Sequence, residues 1–466
     1  MSLVQSTLPF PGASPARGAR SDVLGRPARW LLWAGVAAMA TISSMALVAA
    51  GIPYSTSGGS FFTKIHPATW AATAAVLAAM LDMGGPGRWA ARVSLERPGL
   101  VALAAAVIMV FLHTALVQKL PLSAIIDTFV LPILVFVAVD ALDPASRRRT
   151  ATALHLFVAI NAVVGLVEYA SGWRLTPMYD IDGSIIVDWR STALLGHPLN
   201  NAFITGGWLV MLATGGGRAM RTSVRAAAMV LAATALVAFG GRVAMVLALM
   251  MTLAAGGLGA LQTFAGRRFG LGGATIAVAA MTIATVVAIV AIDAGAADRL
   301  IERFRDDSGS AGTRVAMFRI FADLGWEEFL FGPRPELMIQ AQRDYGIRIG
   351  IESTEVAFVA FYGLIPATLL LAALGAYLFE LIRATSWASL WPVVFFAVVM
   401  SASTGLSSKS TLPALFAVMV LTMMPRWTDH SGPRSPRSSS RSPPTAVSSP
   451  STAPTRSPVS CVDAAP

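Results

Sequence analysis

Four stretches of this sequence carry the residue types that anion binding and proton transfer need. Arg190 precedes the run GHPLNN, which supplies His197, Asn200 and Asn201. Arg242 lies in FGGRVAM, in a tight turn between two apolar runs. The run RFRDDSGSAGTR supplies Arg303, Arg305, Asp306, Asp307 and Arg314. The run IGIESTEVAFVAFYGLIP places Glu352 and Glu355 at the head of another apolar run. Arginine stays protonated and grips phosphate oxygens bidentately. A carboxylate or an imidazole takes the proton of an attacking hydroxyl. Fixed cations stabilise the charge that gathers on a departing phosphate. Together these groups suit group transfer away from a phosphate or diphosphate, with no divalent metal needed if arginines hold the leaving group. No HxxEH cluster occurs, and neither a metal nor a cofactor is expected.

Each residue also has a plainer reading. Arg242 can snorkel to headgroups. Arg190 and Arg174 stand near Asp180, Asp182 and Asp188 and can pair with them at a surface. His197 can cap the helix that follows, and Glu352 and Glu355 suit a helix N-terminus on dipole grounds alone. The charges at 303–307 can be a solvated loop. Asp127, His113, His155 and Glu168 fall within or at the end of apolar runs, where a charge is costly and polar groups pair inside the bundle.

The elements that must position these residues are membrane-spanning helices. Of 466 residues, 55% are hydrophobic and 13% charged, about half the charged share of a soluble domain. Apolar runs near 28–51, 67–84, 99–117, 122–142, 150–170, 198–216, 224–240, 243–261, 271–292, 353–379, 389–405 and 410–425 each approach the ~20 residues that cross ~30 Å of hydrocarbon. The expected fold is all-α: a polytopic membrane helical bundle of about twelve transmembrane helices, with a large periplasmic loop (293–351) between helices nine and ten. Residues 1–27 read as a basic cytoplasmic segment and 28–425 as the membrane domain. The Ser/Pro/Arg-rich tail 426–466 lacks apolar residues to bury and reads as disordered. The first apolar run is too long for a signal-peptide core and reads as an anchor that stays. The one cysteine, Cys461, allows no internal disulfide.

Arginine sets the direction. With the N-terminus inside, the inner segments hold Arg26 and Arg29, Arg88, Arg92 and Arg97, Arg147, Arg148 and Arg149, Arg218, Arg221 and Arg225, Arg267 and Arg268, and Arg383. The short outer segments hold only Lys64, Lys119, Arg174, Arg190, Arg242 and Lys409. This asymmetry places both termini in the cytoplasm, with the four chemical stretches on the outer face. The net charge of +10 is thereby a matter of membrane orientation, and nucleic acid is not an expected partner.

In this order and on this topology, the stretches resemble the O-antigen ligase and polysaccharide polymerase (Wzy-like) superfamily, most closely its exopolysaccharide branch of VpsF-like proteins. The resemblance covers roughly 28–425. LVEYASGW, containing Glu168, is similar to the segment that ends span five. FGGRVAM is similar to the small-residue/Arg turn. The stretch from Arg303 to Pro333 is similar to an Arg-bearing loop helix closed by a Phe-Gly turn, and ESTEVAFVAFYGLIP to the opening of the next span. The resemblance implies a glycosyltransferase of the bacterial inner membrane. It would move an undecaprenyl-diphosphate-linked oligosaccharide onto an acceptor sugar at the periplasmic face, beside membrane lipid and other polysaccharide assembly and export proteins. It implies Arg242 and Arg314 on the diphosphate and Glu352 as base or acceptor orienter. Arg190, Arg305, Arg303, His197 and Glu355 follow as weaker substrate contacts. Where ligase members carry a His–Asn-like pair, this chain has Glu352 and Ser353, which favours a polymerase over a ligase. Val315, Phe318, Phe321 and Leu324 at helical spacing suggest an amphipathic lid. Two other classes fit a many-helix chain: a transporter or flippase of polysaccharide precursors, and a non-catalytic subunit of an assembly complex.

Overall fold

The computed structural model describes residues 24–55, 58–179, 185–186, 188–264, 317–345 and 351–426, which belong to one compact unit. Span nine, most of the loop 293–351 and the tail lie outside them. In chain order the helices are α1 Arg26–Thr41, α2 Ser44–Ala49, α3 Pro67–Asp82, α4 Pro86–Glu96 and α5 Pro98–His113, which runs on as a π-turn to Gln118. Then come α6 Ser123–Asp140, α7 Pro144–Ser171, a small hairpin (β1 Met178–Tyr179, β2 Ile185–Ile186), α8 Pro198–Thr214, α9 Thr222–Phe239 and α10 Arg242–Phe264. After the gap follow α11 Trp326–Phe331, α12 Pro335–Asp344, α13 Thr354–Tyr362, α14 Leu364–Ala384, α15 Leu390–Ser401 and α16 Leu412–Met423.

Proline at the first turn starts many of these helices, where its missing N–H costs nothing. Asp143 caps α7 by accepting from Ser146 N at 2.8 Å. Five described helices are long and apolar enough to cross a membrane: 98–118, 123–140, 144–171, 222–239 and 364–384. The bent pair α3–α4 counts as a sixth if it is one span. Large apolar side chains such as Leu77, Ile108, Leu156, Leu369 and Phe379 stand exposed on the flanks, as a lipid-facing surface requires and a water-facing one rarely tolerates.

Three expected elements differ. The first run is interrupted at Ile42, whose extended backbone lets Ser43 cap a separate short helix. The inner segment after span two is the helix α4, turned 103° from α3 at Gly84–Gly85 and without a buried residue. The run 353–379 breaks at Gly363 (φ +86°), where the backbone of Phe331–Gly332 comes too close for any Cβ. The lid phase also shifts. A tightened turn at Ile320–Asp323 rotates the helical face, so Met317 and Ile320 pack with Met338 and Ala357 while Phe318 points out.

Every residue of α16 and most of α8 are buried, so these two short helices form the centre. Their contact is aromatic: Phe203, Phe395, Phe396 and Phe416 lie 4.9–6.1 Å apart by ring centroids. Gly206 and Gly207 make room for it. A Cβ on Gly206 would stand 2.8 Å from Phe395, and one on Gly207 2.9 Å from Phe416.

The helix ends fall into two sets. At one end Arg97 bonds Asp140 (2.9 Å) and Glu380 (3.1 Å), Arg147 reaches Asp140 (3.4 Å) and Arg29 reaches Asp143 (3.3 Å). This arginine end ties α1, α5, α6, α7 and α14 together. The other end carries the connections 50–66, 119–122, 172–197, 240–241 and 402–411.

Gly206→Val should lower the thermal midpoint of the detergent-purified protein by the equivalent of about 1–3 kcal/mol, the usual cost of overpacking. Gly375→Ala, whose Cβ would meet nothing within 4 Å, should leave it unchanged or raise it, by up to about 1 kcal/mol.

Candidate functional site

The site at the loop end is built on a buried carboxylate. Glu168, in the last turn of α7, is wholly shielded from solvent. Its Oε1 accepts from Leu175 N (2.7 Å), and its Oε2 accepts from Thr192 N (2.8 Å) and Ala193 N (2.9 Å). Arg174 folds back over the same turn. It donates to the carbonyls of Glu168 (2.7 Å), Asp188 (3.0 Å) and Trp189 (2.8 Å). Ser191 Oγ donates to Gly165 O (2.6 Å), and Ser191 N to Ala238 O (3.1 Å). Asn161 Oδ1 accepts from Leu194 N (3.0 Å). The described ends of the α7–α8 connection, 174–175 and 188–194, are thus stitched to α7 and to the end of α9, and Ala193 holds a left-handed φ of +38°.

This stitching brings three of the candidate residues together. Gly240 ends α9 with φ +61°. A Cβ there would lie 2.9 Å from the Trp189 ring and 3.0 Å from Arg190 Cδ. The next residue, Gly241, packs on Ala202 of α8, where a Cβ would approach to 2.5 Å. Arg242 then opens α10 and is half-buried. The two glycines therefore set Arg242 beside the start of α8, where His197 is the N-cap. His197 Nδ1 accepts from Leu199 N at 3.2 Å, so its ring proton sits on Nε2. Burial first, and the Arg190 charge second, push its pKa down to about 4. The imidazole is neutral at physiological pH and can accept or relay a proton. Arg190 donates two guanidinium N–H groups to one oxygen of Asp188, Oδ2, with Nε at 2.7 Å, while its backbone N–H donates to Oδ1 at 2.9 Å. The start of α10 thus lies against the start of α8, through Gly241 on Ala202 and Leu199, and helix N-termini favour an anion.

The acidic candidates stand elsewhere on the same end. Glu355 accepts from Ser353 Oγ (3.0 Å) and from Ser401 Oγ, which ties α13 to the end of α15. Glu352 is partly exposed just before α13 and makes no side-chain hydrogen bond or ion pair among the described residues. No described contact joins either glutamate to Arg190, His197 or Arg242. Arg303, Arg305 and Arg314 lie outside the described residues. Among the described residues no group of three or more His, Cys, Asp or Glu is placed to hold a metal ion.

One cluster at this end was only half visible in the sequence. Asp127, fully buried in a π-turn of α6, accepts from Tyr54 Oη (2.8 Å), Thr69 Oγ1 (2.6 Å) and His66 N (3.1 Å), and lies 3.7 Å from Lys409 Nζ. Lys409 also donates to Tyr54 O (3.0 Å) and Lys64 O, and rests on the Tyr54 ring. Burial pulls Lys409 down to about 8, opposed by Asp127. Asp127 inside an apolar run was the signal; nothing local pointed to Tyr54 or Lys409 as its partners.

No protein-family model matches this sequence, and no curated protein is significantly similar to it.

Glu168→Ala leaves three backbone N–H groups unpaired. It should make 172–197 sensitive to limited proteolysis and cost about 2–3 kcal/mol, as loss of hydrogen bonds to a charged group does. His197 yields a pH prediction. Unfolded, it binds a proton near 6.5; folded, only near 4. Its contribution to stability is therefore full above 6.5 and lost as the pH falls from there toward 4. His197→Asn, which keeps an N-cap side chain, should flatten the fall in thermal midpoint between pH 7 and pH 5.

Proposed function

We propose that the protein is a polysaccharide polymerase of the bacterial inner membrane. It transfers an undecaprenyl-diphosphate-linked oligosaccharide to an acceptor sugar at the periplasmic face. The observation that carries this reading is the meeting of the Gly240–Gly241–Arg242 turn with Arg190 and the His197 N-cap, at the end opposite the arginine network. A chain oriented by its inner arginines has no such need for cations at the other end. The proposal includes about twelve spans, the long loop 293–351 on the periplasmic side and both termini in the cytoplasm. The central helices α8 and α16 are short, and they are sheltered by neighbours whose length suits the bilayer.

The chemistry is a displacement at the anomeric carbon of the donor. The acceptor hydroxyl attacks that carbon, its bond to the diphosphate oxygen breaks, and the lipid diphosphate leaves. Arg242, with Arg314 from the loop, stabilises the charge on the leaving group. Glu352 takes the hydroxyl proton. Arg190, held by Asp188, keeps the turn and the His197 imidazole in place, and Arg303, Arg305 and Glu355 contact the glycan.

A second reading rests on the break between α13 and α14 at Gly363 and on the buried Asp127–Lys409 pair. Interrupted helices and intramembrane charges are also features of transporters, here of lipid-linked precursors.

One experiment separates the two. Detergent-purified protein given lipid-linked repeat units should form polymer without a sealed membrane or a gradient. Arg242→Ala should reduce that activity by at least about 100-fold, the effect of removing one preorganised donor at a developing charge. Glu352→Gln should leave repeat units unjoined while the protein stays folded. Normal polymer from Arg242→Ala would overturn the diphosphate role. Movement of the lipid-linked unit across sealed vesicles, with no polymer, would establish the transporter.

A further inference from the structure

The first turns of α7 carry three consecutive arginines that go to different places. Arg147 turns into the bundle and bonds Asp140 (3.4 Å). Arg148 and Arg149 are exposed, and among the described residues their guanidinium groups make no hydrogen bond or ion pair. Beside them, Ala145, Thr152, Ala153 and Leu156 of the same helix complete a shallow, open groove. The Thr152 hydroxyl is already used, donating back to Arg148 O at 3.0 Å. The groove leads into an apolar track: Leu156, Ile160, Val163 and Val167 are all exposed. With Arg149 and Ala153 they recur at alternating steps of four and three, so they line one face of the helix.

The dimensions fit a lipid. The 28 residues of α7 span about 42 Å at 1.5 Å per residue, roughly 12 Å more than the hydrocarbon thickness. With the track in hydrocarbon, the extra turns hold Arg148 and Arg149 at headgroup depth. Two exposed cations, unpaired among the described residues, above an apolar track form the complement of a phosphate above an acyl chain.

We propose that this face of α7 is a binding site for an anionic glycerophospholipid, with its phosphate on Arg148 and Arg149 and one acyl chain along Ala153, Leu156, Ile160 and Val163. The site needs only that the chain lies in a membrane. It lies at the arginine end, away from Arg242 and His197, so it stands or falls separately from glycosyl transfer.

The test uses the full chain in neutral detergent, with phosphatidylglycerol and phosphatidylcholine as probes. Retention is read by native mass spectrometry, and thermal midpoint is followed in parallel. Phosphatidylglycerol should be retained and raise the midpoint, while phosphatidylcholine should do neither. The double variant R148Q/R149Q should lose phosphatidylglycerol retention by about tenfold or more, with its lipid-free midpoint unchanged. Thr152→Trp, which fills the groove and keeps both charges, should lose retention as well. Equal retention of the two lipids by the wild type would overturn the site, as would full retention by both variants. Displacement of phosphatidylglycerol from this site by a polyprenyl diphosphate at equal concentration would overturn the glycerophospholipid assignment.

Discussion

The loop end of this protein depends on one buried carboxylate. Glu168 is removed from water, and an unpaired charge in that position would be costly by several kcal/mol. It is satisfied by backbone N–H groups from both ends of the α7–α8 connection. A single side chain thereby pins both ends of that connection to α7. Arg174 completes the arrangement by taking up the carbonyls that the turn leaves over. Everything proposed for Arg190 and His197 rests on this, because both follow residues whose backbone the carboxylate and Arg174 hold.

The opposite end solves a different problem. There Arg97 joins Asp140 on α6 and Glu380 on α14, so three helices share one charged knot. The division of cations gives each end its character. At the arginine end some cations knot the bundle, and Arg148 and Arg149 are exposed. At the loop end, among the described residues, Arg190 is paired with Asp188 and Lys409 lies 3.7 Å from Asp127. The Asp127 cluster shows why polar residues in a bundle come in sets. One carboxylate there, shielded from solvent, draws a phenol, a hydroxyl, a backbone amide and an ammonium from three separate segments.

The arrangement of α8 and α16 follows from their surroundings. Helices that touch other helices on all sides bury aromatic rings against glycine, as Phe395 does at Gly206 and Phe416 at Gly207. They need not match the bilayer thickness by themselves. The peripheral helices, such as α5, α7 and α14, must match it, and their exposed flanks are apolar.

The sequence by itself determined the helices and their order. Apolar runs, first-turn prolines and capping Ser, Asp and His residues act within a few residues of chain, so helix is legible locally; of the expected spans, five described helices, or six with the bent α3–α4 pair, are long and apolar enough to cross a membrane. It also singled out Arg190, His197 and Arg242, because a cation or imidazole at a helix boundary stands out against an apolar background. Tertiary structure alone decided what these residues touch. The break at Gly363 comes from the approach of Gly332, thirty-one positions earlier in the chain. The partner of Asp127 is Lys409, and the role of Glu168 is fixed by N–H groups at Leu175, Thr192 and Ala193. The turn of α4 away from α3, and the outward face of Phe318, likewise depend on what each segment can pack against. Periodicity and capping are local and legible; the satisfaction of a buried charge is settled between distant segments, and only the folded chain shows which ones meet.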